Sequence, residues 1–179
     1  RWYLKNRPNL AALVSKWDVK GRGRRRLLSL LRGHRLKMLL KRMLDETEFL
    51  SEHGVRSLSK VYRQSPYHCW FNEQINEVSY QPAESDSGLF GGNSNWRGPV
   101  WFPVNFLIIE SLQKFHHYYG DDFKIEFPTG SGTMITIEGV AEELTRRLCR
   151  IFLRDENGRR AVFGNVAKFQ DDPHFRDLI

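Results

Sequence analysis

The chain has 179 residues, of which 40 % are hydrophobic, 13 % aromatic and 27 % charged, a balance that excludes intrinsic disorder and suffices for one sizeable core. Its formal net charge of +7 is concentrated between Lys16 and Arg42, a stretch that holds 11 of the 28 Lys and Arg residues and a single acid, Asp18. The two cysteines, Cys69 and Cys149, lie far apart in no CxxC spacing, which excludes a disulfide framework and a thiolate zinc site and predicts reduced, buried thiols.

Residues 1–14 read as partly helical and broken at Pro8, whose ring removes an N–H donor and disfavours helix at the preceding residue. Lys16 to Gly23 reads as a loop. Leu36, Leu39, Leu40, Met43 and Leu44 recur at i, i+3, i+4, i+7 and i+8 and predict an amphipathic helix after a turn at Arg32-Gly33-His34. The helical period is lost between Asp45 and Gln81, where Val55 to Tyr62 alternates well enough for a short extended segment. From Gln81 to Gly98, glycine, serine and asparagine dominate a loop with demanding backbone geometry.

A long helix is expected from Pro99 to about Tyr119, with Val100, Val104, Leu107, Ile108, Leu112, Phe115 and Tyr119 as its buried stripe and Gly120 as its stop. A turn at Phe127 to Gly132 leads to a second long helix from Glu138 to Leu153, with Val140, Ala141, Leu144, Leu148, Ile151 and Phe152 buried. Asp155-Glu156-Asn157-Gly158 is a turn, and no internal repeat or low-complexity tract is visible. The longest apolar run, Val100 to Ile109, contains Pro103 and Asn105 and is about half the roughly 20 residues that cross a bilayer. With neither a membrane span nor a secretory leader in view, a cytoplasmic location is expected.

Glu84 to Asn105 carries the most chemistry. A sugar offers apolar C–H faces and a ring of hydroxyls, so its binder needs flat aromatics for the faces and planar or bidentate polar groups for the hydroxyls. Trp96 and Trp101 suit the first need, and Glu84, Asp86, Asn93, Asn95, Arg97 and Asn105 suit the second. Structural readings stand beside these: Trp101 fits a core position as well as a platform, Asn105 fits a satisfied interior amide, and Glu84 and Asp86 fit turn caps. Trp96-Arg97 in a Gly/Asn loop has little structural purpose unless a larger body packs on it.

The run FGGNSNWRGPVWFPVNFLIIESLQKF resembles the W-R-G-P-x-W and N-[FY]-L signature of glycoside hydrolase family 63. Gly54 to Ser59 (GVRSLS) and the downstream HHYYGDDFKIEFPTGSG are also similar to bacterial members. The resemblance implies a mainly α fold forming part of an (α/α)6 toroid with long loops and short extended segments, and inverting hydrolysis of α-glycosidic bonds by a general-acid Asp and a general-base Glu. In the bacterial members that Asp lies upstream of this segment and the Glu downstream in a Y-E-Y-F-like motif, and neither motif occurs here.

Residues 1–179 therefore read as one partial catalytic domain that contributes part of a sugar site, with both catalytic carboxylates outside it. The absence of an initiator Met before Arg1-Trp2-Tyr3-Leu4 and the stop at Asp177-Leu178-Ile179 read as cuts through a longer structured polypeptide. Fold size agrees, since a twelve-helix toroid needs at least roughly 200 residues before its long loops are counted. The expected partners are an α-linked oligosaccharide or small glycoside and the remainder of the parent domain.

No cofactor or metal is expected: His116 and His117 are adjacent on a helix and point roughly 100° apart, which suits no single ion. A non-catalytic helical module that binds carbohydrate or protein is the alternative. Nucleic-acid binding through Lys16–Arg42 is less favoured, because no aromatic is interleaved among its arginines. Repulsion within that cluster would be relieved by acidic parts of a larger polypeptide packing against it.

Overall fold

The computed structural model describes residues 2–12, 14–19, 23–29, 31–83, 87–88, 92 and 95–178. Two short helices, α1 (Trp2–Asn6) and α2 (Pro8–Ala11), are split at Arg7, as Pro8 requires. β1 (Val14–Val19) and β2 (Gly23–Leu28) then pair antiparallel, with Val14 opposite Leu28 and Asp18 opposite Arg24. This corrects the loop expected over Lys16–Gly23. Glycines and arginines suggested irregular chain there, but Val14, Trp17 and Val19 favour extended backbone.

α3 (Gly33–Met43) buries Leu36 and Leu40. It leads into a tight hairpin of β3 (Leu50–Ser51) and β4 (Gly54–Val55), followed by a 3-10 turn at Lys60–Arg63 whose Val61 N–H donates to the Ser59 hydroxyl. A second hairpin, β5 (Tyr67–Phe71) and β6 (Gln74–Val78), turns through Asn72 (φ 49°) and Glu73 (φ 58°). The chain continues through α4 (Phe102–Tyr119), the pair β7 (Lys124–Glu126) and β8 (Met134–Thr136), α5 (Ile137–Arg150) and α6 (Ala167–Asp171). Among the described residues helix outweighs strand, which supports the mainly α part of the expectation. Among the described residues the strands form only separate two-stranded pairs.

The core lies where α4 packs along α5, and Leu36 and Leu40 of α3, which packs beside β7, join the same buried cluster. Thr136 caps α5 by accepting from the Gly139 N–H at 3.1 Å. From there Ile137, Val140, Ala141, Leu144 and Leu148 descend one face into the interior. The stripe expected on α5 is therefore in place, apart from Phe152, which is exposed beyond the helix end. Leu112 of α4 and Leu148 are both buried in this cluster. Leu112→Ala and Leu148→Ala are each expected to cost about 2–5 kcal/mol in urea denaturation, whereas losses of a few tenths would mean that these faces are not packed.

α4 departs from expectation in its first half. It begins at Phe102, with Pro103 in its first turn, and buries Asn105, Ile109, Leu112 and Tyr118, while Val104 and Leu107 of the expected stripe are exposed. Leu112 is buried as expected, and Ile108, Phe115 and Tyr119 are half-buried against the core; the turn of the first half toward the interior at Asn105 follows from its amide, which is claimed by the β4 backbone. The cysteines also depart: Cys69 and Cys149 are free as expected but exposed. Cys69 sits on a strand that is exposed throughout, and Cys149 follows buried Leu148 onto the outer side of α5. In the turn between β7 and β8, the Gly130 and Gly132 N–H groups donate to Glu126 and hold its carboxyl below the usual carboxylate range.

Candidate functional site

The segments Gly54–Ser59 and Trp96–Asn105, separated by some forty residues, form one structural unit. Arg56 and Val100 make an antiparallel bridge, the Ser57 N–H donates to the Pro99 carbonyl at 3.0 Å, and the Gly98 N–H donates to the Ser57 hydroxyl at 3.0 Å. Below them Asn105 behaves like a piece of strand. Its Oδ1 accepts from the Val55 N–H at 2.7 Å, and its Nδ2 donates to the Val55 carbonyl at 2.9 Å and to the Trp101 carbonyl at 2.9 Å. A buried side-chain amide so occupied has both ends satisfied.

Two glycines allow this approach. Gly54 (φ +132°) has no room for a Cβ, which would stand 2.8 Å from Asn105 Oδ1, 3.1 Å from Val100 and 3.2 Å from Leu148. Gly98 (φ +136°) faces the Tyr80 ring, where a Cβ would fall 2.5 Å from Cε2. Tyr80 is itself fixed by its N–H to the Tyr62 carbonyl at 3.2 Å and by the Arg63 guanidinium, 5.1 Å from its ring centroid.

Of the residues expected to meet a sugar, the structure separates two kinds. Trp96 is 53 % exposed, and its ring centroid lies 4.1 Å from that of half-buried Trp101 at an interplanar angle of 43°. Arg97, expected on the surface beside Trp96, is only 1 % exposed. Its Nη1 donates to the Ser87 hydroxyl at 2.9 Å and its carbonyl accepts from the Gln81 N–H at 2.5 Å, so it ties the loop together from within. Asn105 is likewise buried. Adjacent residues of a 3-10 turn (Asn95–Arg97) project about 120° apart, which is how Trp96 reaches solvent while Arg97 turns inward. Glu84, Asp86 and Asn93 lie outside the described residues, and Asn95 opens that turn.

Gly98, Pro99 and Val100 also wall a cleft of about 510 Å³ whose polar lining comes from Glu46, Ser51, Glu52, His53, Arg56, Lys60 and Tyr80. Trp96 and Trp101 do not line it. The Arg56 guanidinium donates to the Leu50 carbonyl and to the Glu48 carbonyl at 3.4 Å, so it is occupied in closing β3 onto β4. His53 Nε2 lies 3.3 Å from Glu52, and Glu46 lies 3.6 Å from Arg147 of α5. Glu52, Lys60 and Tyr80 thus offer hydrogen-bonding groups that the sequence reading missed. The GVRSLS segment was the available signal, since Glu52, His53 and Lys60 flank it. Among the described residues no three His, Cys, Asp or Glu side chains converge as metal ligands, and no helix is long and apolar enough to cross a membrane.

A family model described as the glycosyl hydrolase family 63 C-terminal domain matches residues 26–127, more than half of the chain. The chain belongs to glycoside hydrolase family 63. An uncharacterized protein of Saccharomyces cerevisiae is 51 % identical to this family 63 chain over 181 aligned residues, covering 99 % of the chain and 17 % of the yeast protein. A Schizosaccharomyces pombe protein described as a probable mannosyl-oligosaccharide glucosidase is 37 % identical over 79 residues, covering 44 % of the chain and 7 % of that protein. The family 63 chain thus spans less than a fifth of either relative's length. No solved structure matches it significantly. The matched region contains both joined segments, so the unit held by Asn105, Ser57 and the two glycines is part of the family's domain.

Proposed function

We propose that this chain is the part of an inverting α-glycosidase, built as an (α/α)6 toroid, that holds a sugar ring against Trp96 and Trp101. The observation that carries the reading is the paired indoles, one exposed and one half-buried, on a loop pinned by Ser57, Gly98 and Arg97. An exposed indole braced by a second one offers a flat apolar face at little entropic cost on binding. Arg97 and Asn105 fix the platform from beneath, and the adjacent cleft with Glu52, Lys60 and Tyr80 supplies partners for hydroxyls. The substrate class is an α-glucoside or a related α-linked oligosaccharide. Family membership and the S. pombe relative's description support that choice.

Inverting hydrolysis requires a protonated carboxylic acid and a second carboxylate about 6.5–9.5 Å away that activates water. We place both in polypeptide beyond this chain, so the 179 residues bind sugar without turning it over. The test titrates maltotriose into the purified chain, follows tryptophan fluorescence, and checks by NMR for released β-anomeric glucose. Saturable binding without release is expected, and Trp96→Ala should weaken binding by about tenfold or more. Equal affinity of Trp96→Ala and the parent chain would remove the platform, and release of glucose would place a catalytic carboxylate inside this segment.

A further inference from the structure

Next to the first cleft lies a second, of about 850 Å³, and the two share Glu52, His53 and Ala161 in their linings. The rest of the second cleft comes from the end of α5 and the chain that follows it, including Arg150, Asn157 and Arg159. The same stretch reaches the platform, because Phe152 meets Phe102 edge-on with ring centroids 5.9 Å apart, and Phe102 follows Trp101. Ile151 and Ala161 line the first cleft, and the Val162 N–H donates to the Ile151 carbonyl at 2.9 Å. The indole loop, the first cleft and the second cleft are thus joined in that order, the first two through Gly98, Pro99 and Val100.

The second cleft is built by the device that builds the first. Asn105 bonds both the N–H and the C=O of Val55, and buried Gln170 does the same for Arg160. Its Oε1 accepts from the Arg160 N–H at 3.0 Å, and its Nε2 donates to the Arg160 carbonyl at 2.9 Å and to the Gly164 carbonyl at 2.8 Å. Arg154 and Arg160 form an antiparallel bridge, and between them Asp155 Oδ1 accepts from the Asn157 and Arg159 N–H groups at 2.9 and 2.8 Å. A wall whose backbone is already fixed needs little further ordering when a ligand docks.

The lining carries four arginines, three carboxylates and no Trp, Tyr or Phe. Charge so nearly balanced suits a neutral ligand, and planar guanidinium, amide and carboxylate groups match neighbouring hydroxyls two at a time. Arg154 is paired with Asp177, and the Arg160 guanidinium donates to the Phe152 and Arg176 carbonyls. Arg150 and Arg159 are exposed and make no ion pair among the described residues. Residues 150–170 lie beyond the stretch that the family model matches, so the match assigns this cleft no role. We propose that the second cleft is a further sugar subsite, which makes the substrate an oligosaccharide that reaches from the paired indoles across both clefts rather than a disaccharide. The subsite rests on the sugar-binding reading of Trp96 and Trp101 and adds to it a dependence on chain length.

The test titrates the 179-residue chain with maltose, maltotriose, maltopentaose and maltoheptaose and follows tryptophan fluorescence. Affinity should rise about tenfold or more from maltose to maltoheptaose, the gain that one or two hydrogen bonds to charged groups supply. Arg150→Ala combined with Arg159→Ala should cut that gain several-fold, and Asn157→Ala should cut it by a smaller factor. All three side chains are exposed, so the variants should keep the parent's thermal midpoint. Maltose that binds with no gain on lengthening would overturn the subsite and leave the platform standing. A gain that survives intact in the arginine variants would overturn it too, since longer chains would then have only more ways of sitting on the indoles. Inorganic phosphate that displaces maltoheptaose but not maltose would assign the guanidiniums to an anion and exclude a neutral sugar there. Failure of every saccharide to bind would remove the platform and the subsite together.

Discussion

Gly54→Ala is expected to destabilise the chain by about 2–6 kcal/mol, the sum of a backbone held where L-residues are strained and a methyl forced into a packed interior, each about 1–3 kcal/mol. The added Cβ would meet Asn105 Oδ1 on one side and Leu148 on the other, and neither can withdraw cheaply. Asn105 is fixed by three backbone hydrogen bonds, and Leu148 belongs to the core face of α5. Gly158→Ala provides the comparison, since Gly158 also has positive φ (+74°) but open space where its Cβ would stand. It should lose only about 1–2 kcal/mol. Urea denaturation of both variants decides the matter, and a Gly54→Ala loss no larger than that of Gly158→Ala would show that overlap contributes nothing.

How much of this fold could be read from the sequence depended on how strongly one local rule acted. α5 was legible because Val140, Ala141, Leu144 and Leu148 keep one helical face, and all are buried. α4 was legible in place and length, but in its first half not in phase. Its apolar residues on both sides gave the period no unique answer, and the deciding residue was polar Asn105, buried by its bond to Val55 fifty positions away. No local rule anticipates such a partner. The β5–β6 hairpin was hidden for another reason: its turn uses Asn72-Glu73 at positive φ, where Asn-Gly would have been the recognisable signal.

The candidate site was legible as composition and only partly as geometry. Trp96 and Arg97 are neighbours in sequence and carry the same family signature, yet one faces solvent and the other is buried. A tight turn separates adjacent side chains, and an arginine can be buried only where hydrogen-bond acceptors await it. The sequence shows the residue but not the acceptors. The coupling of GVRSLS to WRGP was equally out of reach, since it runs through the Ser57 hydroxyl and the Pro99 carbonyl rather than through any shared pattern.

Asn105→Leu is expected to cost about 2–6 kcal/mol, because the Val55 N–H and C=O both lose their partner in a buried place at about 1–3 kcal/mol each. Leucine approximates the volume, so the loss reports hydrogen bonding rather than a cavity. The same substitution reaches the proposed platform without touching it. Asn105 Nδ2 also donates to the Trp101 carbonyl, one turn earlier, where the chain enters α4. The substitution leaves the Trp101 carbonyl with only the backbone N–H of residue 105 at 2.9 Å, which loosens Trp101 and with it the indole that braces Trp96 at 4.1 Å. Asn105→Leu should therefore weaken maltotriose binding even under conditions where the variant remains fully folded. The coupled signal of the two indoles in circular dichroism should fall in parallel. If the variant is destabilised but its indole signal and sugar affinity match the parent's, Asn105 supports only the core and the platform is held by Ser57 and Gly98 alone. Combining Asn105→Leu with Gly54→Ala should depart from the sum of the single losses, because the side chain at 105 faces the added methyl in either background.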